Sequence, residues 1–449
     1  MQTAWKHRLG TKLVLLLLVA ILAACSDNTS NTSKNGGSGS TSSAESAGQE
    51  RPFEGQTLHI YLVSHPWGES IKKLAPEFEA ATGIKLDFQS FFDEQFAQKI
   101  SVQLTTQSST PDVFMYRPPQ EGKLFFNNGW MEPLDEYVKR DPAYDFADFS
   151  ESSINSATVD GVLTGIPLYT EAQILYYRKD ILEKENLAVP ATLDELDAAI
   201  KKLHDPDNGF YGFVARGQRA AAVTQLSSFL FAEGADFTNG DAATINSPEA
   251  VTAITRYGTW LKDYGPPGVL NMAWPQAMGI FAQGKAAFFT DISSIYNNAT
   301  DPENSTIADK VGFAVLPAGP KGQKPFNITP MGLAMNKNSK NKDAAWEFMK
   351  WATSKEMVLK LQNEGNVGAR ASAWENATAN TDIPEQLYEV LKQSNQLGVG
   401  HDRPKVINVG EARDIVGDAI VKAILGENVQ AAADKANQDL QALMDKERK

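Results

Sequence analysis

The sequence predicts an α/β fold in two domains, with parallel strands under helices. Three observations lead there. The stretch Thr57–Tyr116 reads strand, helix, strand, helix, strand, the order that builds a parallel sheet. Its last strand, "PDVFMY" (Pro111–Tyr116), is almost wholly apolar, as a strand covered on both faces must be. Roughly 400 residues follow the N-terminal segment, more than a single hydrophobic core usually holds.

"TLHIYLV" (Thr57–Val63) is a β-rich run that ends in the polar loop "SHPWGE". "ESIKKLAPEFEAAT" places Ile71, Leu74, Phe78 and Ala81 on one helical face and stops at Gly83. "IKLDFQ" is a second strand, and "DEQFAQKISVQLTTQ" a second helix carrying Phe96, Ile100, Val102 and Leu104. "TGIPLYTEAQILYYRKDILEK" is extended and turns helical near Lys179–Lys184. "TLDELDAAIKKLHD" is an amphipathic helix capped by Thr192, and "YGFVARG" is a strand. Two helices follow, the second capped at Ser247 with Pro248 in its first turn. "QAMGIFAQGKAAFFTD" gives helix, Gly turn and strand; "VGFAVLPAGPKG" and "GLAMN" add strands. The C-terminus is helical with a break near Gly426–Glu427.

The N-terminus has its own logic. Lys6, Arg8 and Lys12 precede an uncharged run, Leu13–Ala24, that is too short for a bilayer of about 30 Å. Basic start, apolar core and small residues make a signal peptide. It ends at Cys25, the only cysteine in the 449 residues. "LAAC" resembles the lipobox of bacterial lipoproteins, which implies lipid attachment at Cys25 and removal of residues 1–24. Two acyl chains anchor stably where one binds marginally. Residues 25–50 are the anchor and a Ser/Thr/Asn/Gly linker too polar to bury surface. The net charge is −13; without the signal's three cations it is −16, which argues against nucleic-acid partners. Without further cysteines the globular part has no disulfide or thiolate–metal site, and no cofactor is expected.

Several segments, in order, resemble the family 1 extracellular solute-binding proteins of ABC importers, the maltose-binding-protein-like group. They are "IYLV…ESIKKLAPEFEAATGIKL", "PDVFMY", "GIPLYTEAQILYYRKDILEK", "FAQGKAAF" and "VGFAVLPAGPKG" with "GLAMNKNSKNKDAAWEFMKWATS". The resemblance covers roughly Thr57–Met444. It implies a type II periplasmic-binding-protein fold: two discontinuous lobes, three hinge crossings and a ligand cleft between them. The expected parts are 51–170 and 315–370 for the N-terminal lobe, and 171–314 and 371–449 for the C-terminal lobe. The crossings are expected near Tyr169–Ala172, Val315–Leu316 and Ala369–Ala373. It further implies a monomer that hands a small molecule, a saccharide and in particular an oligosaccharide, to permease subunits outside the cell.

Loops after strand C-termini line such clefts. The first offers His65 and Glu69 for hydroxyls and Trp67 for stacking on a sugar face. The second offers Tyr116 and Arg117; Asp112, before the strand core, reads as structural. The first crossing carries Tyr169 and Glu171, the latter aligned with an acidic ligand residue of the family. Trp274 precedes a helix whose start lies in the family's cleft. Asp291 stands with Ser293 and Ser294 where family members have a stacking Trp. Arg370 and Trp374 come from the third crossing. Trp130, Trp346 and Trp351 read as core. Competing classes are a binder of polyamine, iron complex or phosphodiester, a ligand-presenting subunit for a sensor kinase, and a two-carboxylate glycosidase. The sequence has no G-x-S-x-G, H-E-x-x-H or Walker motif, and its histidines lack metal spacing. The enzyme reading is therefore the weakest.

Overall fold

The computed structural model describes residues 51–376 and 383–448. The lipid-attachment expectation at Cys25 lies outside these residues. The eight long strands are β1 (Thr57–Val63), β2 (Lys85–Phe91), β3 (Val113–Tyr116), β4 (Ile166–Arg178), β5 (Tyr211–Val214), β6 (Ala286–Ile292), β7 (Val311–Val315) and β8 (Asn327–Met335). Hydrogen bonding orders them β2-β1-β3-β8-β4-β6-β5, with β7 on β4 as well. The pairs β1/β2, β1/β3 and β5/β6 are parallel; β4 and β8 run against their neighbours. Two short hairpins, Thr158–Leu163 and Thr238–Ala243, complete the strands.

The ladder is continuous, but the hydrophobic core is split in two. One core gathers β1–β3, the start of β4 and the end of β8 under the helices Pro66–Thr82, Asp93–Thr105 and Lys342–Ala352. The other gathers the rest of β4 with β5, β6 and β7 under helices that include Leu193–Leu203, Arg219–Glu233, Pro248–Asp263 and Val409–Leu425. The chain changes core between Leu168 and Ala172, between Ile328 and Met331, and between Ala369 and Trp374. These are the three crossings of a two-lobed fold, and they lie side by side. Ile328 pairs with Glu171, Tyr169 bridges to Gly368, and Thr170 N donates to Val367 O at 3.0 Å.

The second crossing corrects the sequence expectation. β7 does not leave the C-terminal lobe at Val315: Val315 pairs with Ile174 and packs with Leu316 in that lobe's core. The crossing is β8, which continues the same edge of β4 and slips register between Ile328 and Met331. "VGFAVLP" ends in a loop rather than a strand-to-lobe passage, and a sequence pattern does not reveal which of two consecutive strands changes lobe. Asp112 is structural: buried, it accepts from His59 N (2.9 Å), Ser339 Oγ (2.6 Å) and Asn341 Nδ2 (3.3 Å), tying β1 and β3 to the turn after β8.

Candidate functional site

Parallel β5 and β6 end on one edge of the C-terminal lobe. Antiparallel β4 sets Gln173 beside Ile292, so Glu171 arrives at the same edge from the hinge. Side chains alternate along a strand. Tyr169 and Glu171 are accordingly half-buried, while the alternate residues Leu168, Thr170 and Ala172 are buried.

Three groups converge there. Arg216, two residues after β5, forks onto Asp291: Nε lies 2.9 Å from Oδ2 and 3.1 Å from Oδ1, and Nη2 donates to Oδ1. Gln225 Nε2 (3.1 Å) and the Ile292 amide (2.8 Å) also donate to Asp291 Oδ1. A charge this buried (0% exposed) requires such saturation. The sequence reading expected Asp291 to take ligand hydroxyls; in the structure it is enclosed and holds Arg216 and Gln225 instead. Glu171 accepts from Ser294 Oγ. Burial first, then the charges of Asp291 and Asp402, push its pKa up, against the pull of Ser294 and Arg216.

The loop bearing Arg216 is anchored beside Trp274. Gly217 N and Gln218 N both donate to Met272 O at 3.0 Å. Gly217 is required by that approach, since a Cβ would sit 2.4 Å from Val269 O. Trp274 is 37% exposed at the head of helix Trp274–Ala282, a broad apolar face free to meet a ligand.

A second polar layer lies on helix Arg219–Glu233. Thr224 Oγ1 donates to buried Asp402 (2.9 Å), which is forked by Arg403, and Arg413 donates to Thr224 Oγ1 (3.3 Å) and Ala220 O (3.0 Å). Loss of hydration, with Arg403 beside it, lowers the Arg413 pKa to about 10. Arg403 Nη1 reaches across to Gln120 Oε1 of the N-terminal lobe (3.2 Å). From that lobe, the His65 ring stacks on Tyr169 (centroids 4.6 Å apart, planes 7°) while its Nδ1 caps the helix at Trp67 N. Arg117, at the head of helix Pro118–Asn127, pairs with Glu121, and Glu69 pairs with Lys72 on a solvent-exposed face.

Four further candidates do not reach the cleft. Trp67 is 2% exposed because the helix begins at Pro66, earlier than the sequence suggests, and turns the indole onto the sheet. Tyr116 ends a strand buried at every position; its hydroxyl meets Thr164 Oγ1 at 3.2 Å, and burial raises its pKa. Arg370 is 0% exposed. It donates to the carbonyls of Thr353, Asp145 and Tyr144 and to Asp148, with Phe149 and Tyr144 against its face. It locks the third crossing to the N-terminal lobe. Trp374 is 3% exposed, donates Nε1 to Gly368 O (3.0 Å) and packs on Tyr388. Conversely, sequence reading missed Arg216, Gln225, Asp402, Arg403 and Arg413. Arg216 had a usable signal, a charge directly after the strand "YGFVA"; "HDR" gave none.

A family model described as bacterial extracellular solute-binding protein matches residues 64–358. The chain belongs to that family. It is 30% identical over 338 residues to the mannitol-binding protein of Pseudomonas aeruginosa, covering 72% of this chain and 76% of that one. It is 26% identical over 343 residues to the erythritol/L-threitol-binding protein of Mycolicibacterium smegmatis, covering 70% of each. Among solved structures, the solute-binding protein of Agrobacterium radiobacter in complex with ribitol superposes with TM-score 0.69 at 30% identity. That match covers 87% of this chain and 99% of the other. The fold is thus the type II periplasmic-binding-protein fold, and the relatives bind polyols and sugars. Among the described residues no helix is long and apolar enough to cross a membrane.

Proposed function

We propose that this protein captures a short polyol or a monosaccharide-sized sugar between its lobes and delivers it to an ABC permease, performing no chemistry on it. The observation that carries the reading is the Arg216 fork, fixed by buried Asp291 next to half-buried Glu171 at the hinge. A vicinal diol needs a donor and an acceptor held close together, and Arg216 as donor with Glu171, whose acid feels the Arg216 charge, would supply both. Buried donors and acceptors reject ligands that lack the matching hydroxyls. Among the described residues Trp274 is the one exposed tryptophan, and one such face suits an open-chain polyol better than an oligosaccharide. The polyols named for the relatives point the same way. Lipid attachment at Cys25 would hold the protein at the outer face of the membrane beside its permease.

The test is calorimetry of the full-length protein with ribitol, mannitol, erythritol, maltotriose and a polyamine. Binding to at least one polyol, weakened about tenfold or more by Arg216→Lys, is expected, since a hydrogen bond to a charged group is worth about 1.5–3 kcal/mol. Binding of maltotriose or polyamine alone, or turnover of any glycoside, would overturn the reading. For the anchor, Cys25→Ser should release the protein from cells into the medium.

A further inference from the structure

A cavity of about 200 Å³ lies where helix Pro118–Asn127 and residues 155–161 of the N-terminal lobe face residues 400–409 of the C-terminal lobe. Its charged lining is one-sided: Lys123, Arg403 and Lys405, with the His401 ring beside them, against Asp160 alone. That inverts the sign of a chain whose net charge is −13. Lys123 pairs with Asp160 (3.5 Å) and Arg403 with Asp402, and the His401 ring meets Asp236 at 2.9 Å. Lys405 forms no ion pair among the described residues; its hydrogen bond runs to Asn155 O at 3.4 Å. Lys123 lies against it, donating to Lys405 O at 3.4 Å. Although the Lys405 side chain as a whole is exposed, protein atoms crowd its ammonium. That desolvation, with the charge of Lys123, lowers its pKa, while Asp236 and Asp160 oppose the shift.

We infer that this cavity is an oxyanion site, taking a phosphate or carboxylate group between Lys123 of one lobe and Lys405 and Arg403 of the other. An anion there would supply the charge Lys405 lacks and relieve its repulsion with Lys123. The cavity shares Arg403 with the polar layer described above but is not lined by Glu171, Arg216 or Asp291, so an anion there goes beyond the proposed function. Because its cations come from both lobes, an occupant would favour the lobe arrangement seen here. Any effect on polyol affinity must then be matched by an equal effect of polyol on anion affinity.

The experiment measures the thermal midpoint of the full-length protein, without polyol, in inorganic phosphate, citrate and sodium chloride at matched ionic strength. A dose-dependent rise of a few degrees beyond chloride is expected with phosphate or citrate. Phosphate alone would assign the site to phosphate, citrate alone to carboxylates. Lys405→Gln should abolish the excess and leave polyol affinity in anion-free buffer unchanged. Equal midpoints in all three salts, or a full rise retained by Lys405→Gln, would overturn the inference. Neither outcome touches the polyol reading, which fails only in the separate calorimetric panel.

Discussion

At the residue scale, the same side-chain type serves opposite ends depending on what saturates it. Arg216, 8% exposed, gives its Nε and Nη2 to Asp291, whereas Arg370, 0% exposed, is consumed by three carbonyls and a carboxylate. Arg370→Met should therefore lower stability by about 3–5 kcal/mol, the usual loss when one partner of a buried pair is removed. Trp67→Ala should lose about 3–5 kcal/mol as a cavity in the core. In denaturant titrations both should unfold early, yet calorimetry on the folded fraction should give an unchanged polyol affinity. A weakened affinity would return them to the site. Glu171 behaves differently. Its raised pKa means the fold prefers the protonated acid, so ionisation is a penalty. The penalty is absent below the carboxyl's ordinary value of about 4.5 and complete once pH has risen past the folded pKa. Glu171→Gln should accordingly raise the thermal midpoint of the ligand-free protein at pH 7, by an amount that shrinks to nothing near pH 4, while weakening polyol binding. A midpoint difference independent of pH would contradict this.

At the element scale, the strands and most helices were legible because their signals are local. The long crossing strand β4, the strand "VFMY" and the capped helix at Ser247 all follow from short-range pattern. What was hidden depends on contacts distant in sequence. Trp67 was read as a loop residue because His65–Pro66 opens the helix one turn earlier, with a histidine nitrogen as the cap in place of the usual Ser, Thr, Asp or Asn. Asp402 and Arg403 lie in a segment with no periodicity, and only the packing of residues 400–409 against helix Arg219–Glu233 gives them a role. The Arg216 loop offers a test of that long-range dependence. Gly217→Ala would drive a methyl into Val269 O, which the loop can escape only by releasing its hydrogen bonds to Met272. About 1–3 kcal/mol of destabilisation is expected from the overpacking. Polyol affinity should fall as well, because Arg216 moves with the loop. Retained affinity would mean that the ion pair to Asp291 alone fixes the guanidinium.

At the scale of the whole molecule, one hydrogen-bonded ladder runs through two cores, so the lobes are joined by adjacent strands rather than by a loose linker. Such a hinge can bend without losing its pairing, and a ligand gripped from both sides then favours the closed arrangement by its difference in affinity for the two states. The Arg403–Gln120 hydrogen bond adds a bias of its own, because it joins the lobes through protein atoms alone. Gln120→Ala removes it while leaving the Asp402–Arg403 pair in place. A net hydrogen bond of about 0.5–1 kcal/mol at this half-exposed position corresponds to roughly a two- to fivefold shift in the balance of lobe arrangements. The radius of gyration of the ligand-free variant in solution scattering should exceed that of the parent, and the two curves should coincide at saturating polyol. The polyol Kd should rise by up to the same factor, since the binding-competent arrangement is less populated at the outset. Superimposable ligand-free curves with an unchanged Kd would show that the crossings alone set the balance. An unchanged curve with a much larger loss of affinity would instead place Gln120 in direct contact with the ligand.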